Sequence, residues 1–87
     1  MDIDRAQLIE KHIRAVLNEE FGVDEHMIMP QSRLREDLGL DNVEALEFID
    51  DLMGTFTFDL PSDQCEAIRT VQEAIDAVVK NTGYDLE

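Results

Sequence analysis

Apolar residues recur at the three- and four-residue spacing of an amphipathic helix in three parts of the chain. This spacing lines them up along one helix face, which can then pack against a core. It predicts a first helix over residues 4–20, a second over 42–53 and a last one from residue 70 to about 81–83. The core-facing residues are Ile9, Ile13 and Leu17, then Phe48, Ile49, Leu52 and Phe56, then Ile75, Val78 and Val79.

Capping and breaking residues mark the ends of these helices. Gly22 supplies the stop of the first helix. Asp41 precedes the second helix and Glu44 follows three residues later, which is the pattern of a capping box. Thr70 and Glu73 repeat that pattern at the start of the last helix.

The segment after the second helix has a less regular pattern. Gly54 weakens the last turn, so we expect the second helix to end near it. The β-prone residues that follow make a strand over 55–60 the competing interpretation. Ser62 comes directly after Pro61 and can cap a short third helix that continues to about Ala67.

Residues 23–40 show no sustained period and are expected to form a long loop, with apolar side chains that hold it over the core. Those side chains are Met27, Ile28, Leu34, Leu38 and Leu40. The predicted fold is therefore all-α: a four-helix bundle of three longer helices and one short one, with a long loop between the first two. The chain of 87 residues is long enough for a single domain over residues 1–87, in which Leu86 and Glu87 are consistent with a cloning remnant.

The charge narrows the choice of partner. A formal charge of −14 disfavours nucleic acid and anionic membranes and favours a protein with a basic patch. Residues 36–68 hold ten acidic residues and no Lys or Arg. A solvated face would explain this stretch, but like charges repel along a helix, so we favour docking to a basic partner.

Enzymatic chemistry is not indicated. His12 and His26 have no nucleophile or metal-ligand pattern beside them and are expected to be surface histidines. Cys65 is expected to be a small, partly buried filler, and no metal site is predicted. One cysteine, an acidic N-terminus and no long apolar run point to a cytoplasmic protein that does not span a membrane.

The order of these features resembles the acyl carrier protein family over nearly the whole chain. The resemblance is carried by the stretch from Glu36-Asp37-Leu38-Gly39-Leu40-Asp41-Asn42-Val43-Glu44 to Phe56, by Leu60-Pro61 and by Ile68-Arg69-Thr70-Val71. The family starts its second helix with Asp-Ser-Leu, and the serine carries 4′-phosphopantetheine as a phosphodiester. Asp41 matches the aspartate, Val43 matches the leucine, and Asn42 stands where the serine belongs.

The resemblance implies a non-catalytic scaffold that presents acyl chains to partner enzymes in fatty-acid, polyketide or related biosynthesis. Asn42 lacks the hydroxyl that attachment needs, so no cofactor is expected on the chain as written. Either Asn42 is native and the protein has lost the arm, or it is a substitution in an ordinary carrier whose natural residue is Ser. The alternative function is an interaction module that docks basic proteins without carrying an acyl group.

The resemblance also places partner recognition on the acidic second helix. The expected partner-binding residues are Asp41, Val43, Glu44, Leu46, Glu47 and Asp50. Their partners are expected to be acyl-transfer or synthase enzymes and a phosphopantetheinyl transferase, bound by a monomer. In the family the core opens between the second and third helices to shelter an acyl chain, and here Phe48, Phe56 and Phe58 are expected to fill that space.

Overall fold

A computed structural model of the chain describes residues 5–82. It contains four α-helices in the predicted order: α1 (Arg5–Phe21), α2 (Asn42–Phe56), α3 (Ser62–Ala67) and α4 (Val71–Thr82). A short 3₁₀ helix, Glu25–Met27, lies in the connection between α1 and α2. The all-α prediction is confirmed. The predicted start at Asp4, the last residues 83–85 and the suggested remnant at 86–87 lie outside the described residues.

The core forms where the apolar faces of α1, α2 and α4 meet, and α3 packs against α2. Every predicted core-facing residue is buried except Phe56 and Val79, which are half-buried and pack against the core from its edge. The periodicity therefore located the core correctly on all three longer helices, because burial of an apolar stripe is what stabilises a short helix in water.

The end of α1 has the predicted glycine stop. Gly22 adopts the left-handed conformation, with φ of +71°, which glycine reaches without steric cost. The N–H of Val23 then donates to the carbonyl of Leu17 at 3.0 Å, which satisfies one of the last carbonyls of the helix.

The end predicted for α2 was wrong, as was the competing strand. The helix continues through Gly54 to Phe56, and Thr57 closes it in the left-handed conformation with φ of +58°. Phe56 packs on the core, and its ring lies edge-on to the His12 ring with 5.3 Å between the two centroids. This tertiary contact outweighs the weak helix propensity of glycine. Within the described part of the chain, residues 57–60 form no strand.

The capping role predicted for Ser62 was also wrong. Ser62 is the first helical residue of α3, its N-cap is Pro61, and no side chain caps that end. The capping box of α4 is confirmed. The N–H of Glu73 donates to the Thr70 hydroxyl at 3.1 Å, and the N–H of Thr70 donates to the Glu73 carboxylate at 3.2 Å.

The loop between α1 and α2 lies over the core as predicted, with one exception. Ile28, Leu34 and Leu40 are buried and Leu38 is half-buried, but Met27 is 52% exposed. Met27 belongs to the 3₁₀ helix, none of whose residues is buried. Spacing could not predict this result because a loop has no sustained period to show which side chains face inward.

Candidate functional site

The N-terminus of α2 is fixed by the predicted capping box. The N–H of Glu44 donates to the Asp41 carboxylate at 2.8 Å, and the Glu44 carboxylate accepts from the N–H of Asp41 at 3.1 Å. Two backbone donors that a helix start leaves without partners are satisfied in this way. The chain direction at the next residue, Asn42, is therefore set by side chains of the helix itself.

Asn42 is the first residue of α2, and its side chain is exposed. The Arg35 guanidinium donates a hydrogen bond to its carboxamide oxygen. The sequence pattern did not predict this contact. Arg35 is the last basic residue before the acidic stretch. Its contact with Asn42 could not be predicted, because the hydrophobic pattern of the loop has no sustained period.

The loop that carries Arg35 is held by a second arginine. The backbone N–H of Arg33 donates to the Asp37 carboxylate at 2.8 Å, and its Nε donates to the same oxygen at 3.1 Å. The hydrogen bond from the Arg33 side chain lowers the pKa of Asp37 most, and the bond from the Arg33 backbone N–H lowers it further. Since the folded pKa is the lower one, this contact contributes stability above the ordinary carboxyl pKa and loses it as pH falls.

The predicted partner-binding residues form one surface along α2. Val43 is 63% exposed and Leu46 is 42% exposed, while Glu47 and Asp50 are exposed beside them. In the described part of the chain, neither Glu47 nor Asp50 has an ion-pair or hydrogen-bond partner. Exposed apolar side chains between unpaired carboxylates are typical of an interface with a charged rim. Asp41 and Glu44 differ, because their carboxylates are already used in the capping box.

Two adjoining grooves flank this surface. The first, which we call the arginine groove, has a volume of about 380 Å³ and contains Arg35, Asn42 and Arg69 in its wall. The second, which we call the α2–α3 groove, has a volume of about 480 Å³ and runs between Val43, Met53 and Leu60. Leu46, Cys65 and Glu66 border both.

The three phenylalanines that were predicted to fill the space between α2 and α3 do not lie in either groove. Phe48 is fully buried in the core, and Phe56 and Phe58 pack against the core from its edge. None of the three lines either groove. The space between α2 and α3 is bordered by smaller and more flexible side chains such as Leu46 and Met53.

The remaining candidate residues have structural surroundings. Burial raises the pKa of the Cys65 thiol, and the negative charge of the nearby Asp50 raises it further. The thiol therefore stays protonated and weakly nucleophilic. His26 is exposed and contacts Asp24 at 3.2 Å. His12 is partly exposed, as expected of a surface histidine, but one side packs against Phe56 and its Nε2 lies 3.7 Å from Asp51. Among residues 5–82, no group of three or more His, Cys, Asp or Glu could hold a metal ion.

Comparison with known proteins decides the family. The family model described as a phosphopantetheine attachment site matches residues 11–78, which is most of the chain. An acyl carrier protein of Rubrobacter xylanophilus is 35% identical over 79 residues, covering 91% of this chain and 96% of that protein. One from Chlorobium phaeobacteroides is 37% identical over 75 residues, covering 86% and 95%. The chain belongs to the acyl carrier protein family.

The fold of the family agrees with this assignment. The solved structure of the acyl carrier protein from Enterococcus faecalis superposes with a TM-score of 0.75 at 22% identity, covering 87% of this chain and 96% of that one. Acyl carrier proteins are non-catalytic, so this family member is not an enzyme. Their cofactor is 4′-phosphopantetheine and their partners are acyl-transfer and synthase enzymes. No helix within residues 5–82 is both long and apolar enough to span a membrane.

Asn42, which the resemblance aligns with the family's attachment serine, has no hydroxyl. Attachment uses a hydroxyl, and Asn42 offers a carboxamide whose oxygen accepts from Arg35. The chain has two serines, Ser32 and Ser62, and neither lies at the start of α2. The hydroxyl of Ser32 lies in the loop, donates to the carbonyl of Met27 at 2.7 Å and accepts from the N–H of Met29 at 2.9 Å. Ser62 lies at the start of α3.

The capping box yields a stability prediction. Asp41→Ala removes one half of it and is expected to lower the free energy of unfolding by about 1 kcal/mol, as is usual for a lost N-cap. Urea denaturation followed by circular dichroism measures the change. Asp59→Ala is the matched control, because Asp59 is exposed and lies outside the helices. An equal effect of both substitutions would show that the capping contact contributes nothing.

Proposed function

We propose that this chain is an acyl-carrier-family docking protein that holds no covalent phosphopantetheine arm. It binds basic surfaces of acyl-transfer and synthase enzymes through the exposed face of α2. The observation that carries the proposal is Asn42, which the resemblance aligns with the family's attachment serine and which begins α2 beside an intact capping box.

The chemistry of the side chain supports the first half of the proposal. A serine hydroxyl can lose its proton and attack the pantetheine-bearing phosphorus of coenzyme A, so that an O–P bond to the serine forms and the bond to the leaving adenosine 3′,5′-bisphosphate breaks. The nitrogen of a carboxamide has its lone pair delocalised into the carbonyl, so it is a poor nucleophile. Substitution by that nitrogen would leave an N–P bond and not the family's phosphodiester. We therefore expect that Asn42 blocks loading.

The surface of α2 supports the second half. Val43 and Leu46 are apolar and exposed, and Glu47 and Asp50 lie beside them without basic partners. Carboxylates that are not paired within the protein lose less on meeting a basic patch, since no internal contact must be broken first. Long-range attraction from the −14 charge would also speed association with such a patch.

A second candidate is an ordinary carrier whose natural residue at position 42 is Ser. The α2–α3 groove and the intact capping box support it, because a loaded carrier needs a fixed helix start and space beside it for an acyl chain. Such a protein would present acyl chains in fatty-acid, polyketide or related biosynthesis. Loading experiments on residue 42 separate the two candidates.

Charge reversal tests the docking surface. Glu47→Lys with Asp50→Lys is expected to weaken binding to a ketoacyl synthase, an acyltransferase or a phosphopantetheinyl transferase by about tenfold or more, because like charges at an interface cost several kcal/mol. Surface plasmon resonance at about 0.15 M ionic strength, where distant charges are screened, measures the affinity. Glu44 is left unchanged because its carboxylate caps α2.

The matched control carries the same change of charge on another surface. Glu19 and Glu20 are exposed residues near the end of α1, and Glu19→Lys with Glu20→Lys leaves the α2 face intact. This control should bind within about twofold of the parent chain once general steering is screened by salt. If both double variants bind the three enzymes as tightly as the parent chain, the acidic face of α2 is not the docking surface.

A further inference from the structure

Two arginines that lie far apart in sequence meet in one groove. The acidic stretch over residues 36–68 has no Lys or Arg, and it is bounded by Arg35 on one side and Arg69 on the other. The N–H of Leu34 donates to the carbonyl of Arg69 at 2.8 Å, and Arg33 and Thr70 form an isolated antiparallel bridge. These backbone contacts close the stretch into a loop and bring its two bounding guanidiniums into the wall of the arginine groove.

Neither guanidinium is neutralised within the described residues. Arg14 pairs with Glu10 at 3.2 Å and Arg33 pairs with Asp37 at 3.1 Å. The guanidinium of Arg69 has no partner in residues 5–82, and that of Arg35 contacts only the uncharged carboxamide of Asn42 there. In a chain with 21 Asp and Glu and seven Lys and Arg, two arginines without a carboxylate partner in the lining of one groove are unexpected. Solvation alone would not bring them together.

The two neighbouring grooves therefore differ in charge. Two arginines and Glu66 give the lining of the arginine groove a formal charge of +1. Three carboxylates, from Glu47, Asp50 and Glu66, give the α2–α3 groove a formal charge of −3. An anion that approaches this acidic protein would find favourable potential in the first groove and repulsion in the second.

The shape of the arginine groove suits a small ligand. Its volume of about 380 Å³ lies within the range of small-molecule pockets. Leu34 is buried and Ile68 half-buried in its wall, so part of the lining is apolar. The guanidinium group is planar and always charged, and it binds phosphate through two parallel hydrogen bonds. A doubly charged phosphate group can use both arginines and still offset the repulsion from Glu66.

We propose that the arginine groove binds a phosphate group noncovalently, supplied either by a small phosphate ester or by free phosphate. Arg35 and Arg69 contact the phosphate oxygens, and the carboxamide of Asn42 supplies a further hydrogen-bond donor at the edge of the groove. Residue 42 forms no covalent bond in this event. The proposal therefore concerns a binding site beyond the docking surface on α2.

The test uses three probes and no transferase, so that covalent loading cannot contribute. Isothermal titration calorimetry at low ionic strength compares 4′-phosphopantetheine, pantetheine, which lacks the phosphate, and inorganic phosphate. We expect 4′-phosphopantetheine to bind and pantetheine to bind at least about tenfold more weakly, since a charge-assisted hydrogen bond is worth more than a factor of ten. Inorganic phosphate that binds as tightly as the ester would identify the free ion as the ligand of the same site.

Two double variants complete the test. Arg35→Gln with Arg69→Gln removes both charges, and it keeps the backbone bonds that Arg69 makes to Leu34 and Glu73. It should bind the phosphate probes at least about tenfold more weakly than the parent chain. Arg5→Gln with Lys11→Gln removes the same charge from α1, outside both groove linings, and should bind like the parent chain.

Two results would overturn the proposal. One is equal binding of pantetheine and 4′-phosphopantetheine, and the other is an equal loss of phosphate binding in both double variants. Amide NMR spectra establish that each variant is folded, so a loss of binding can be assigned to the missing guanidiniums. A failure here would leave the docking proposal intact, because Glu47 and Asp50 do not line the arginine groove.

Discussion

Asn42→Ser is expected to gain one phosphopantetheine group when it is incubated with coenzyme A and a phosphopantetheinyl transferase. The substitution restores a hydroxyl at the exposed first residue of α2 and changes nothing in the Asp41–Glu44 capping box that precedes it. The effect is close to all-or-none, because loading depends on the presence of a nucleophile. Intact-mass spectrometry gives the result as an increase equal to one phosphopantetheine group.

The control for this gain is Asn42→Ala, which has neither hydroxyl nor carboxamide. It should stay unmodified, and it also loses the hydrogen bond from Arg35. A gain with Ser and none with Ala would assign loading to the hydroxyl and not to release of Arg35. An Asn42→Ser variant that binds the transferase and yet stays unmodified would show that something other than residue 42 prevents loading.

Phe48→Ala is expected to have the largest effect on stability. Phe48 is fully buried where the faces of the longer helices meet. Its ring lies edge-on to that of Phe21, with 6.4 Å between the two ring centroids. Replacing a buried phenylalanine by alanine costs about 3–5 kcal/mol, because transfer energy is lost and a cavity remains. A small domain has only about 5–15 kcal/mol to lose, so much of the variant should be unfolded at modest urea concentrations.

Urea denaturation followed by circular dichroism measures this loss. Val43→Ala is the matched control on the same helix, since Val43 is 63% exposed and its truncation should change the free energy of unfolding by less than about 0.5 kcal/mol. A loss below about 1 kcal/mol for Phe48→Ala would mean that this position can repack or is not at the centre of the core.

Most of the fold could be predicted because its signals are local. A helix reveals itself by the spacing of residues such as Ile9 and Ile13, and a capping box by two residues three apart, as at Asp41 and Glu44. The errors arose where a distant contact decided the outcome. Phe56 extends α2 past Gly54 by packing on the core and on His12, and that contact joins two helices.

The candidate site was predicted in part for the same reason. The position and exposure of Asn42 follow from the helix start, and the exposure of Val43 and Leu46 follows from the face opposite the core. Their role in partner binding stays a prediction. The arginine groove could not be predicted, because Arg35 and Arg69 are brought together by backbone pairing across 34 positions, which leaves no pattern in the sequence.

We propose that this member of the acyl carrier protein family keeps the fold and the acidic helix of a carrier but cannot be loaded. The most direct test of this proposal is the intact mass of the unsubstituted chain after incubation with coenzyme A and a phosphopantetheinyl transferase, with Asn42→Ser treated in parallel to prove that the enzyme is active. We expect the mass of the unsubstituted chain to stay unchanged while the serine variant gains one phosphopantetheine group. A gain of that group by the unsubstituted chain would contradict the account.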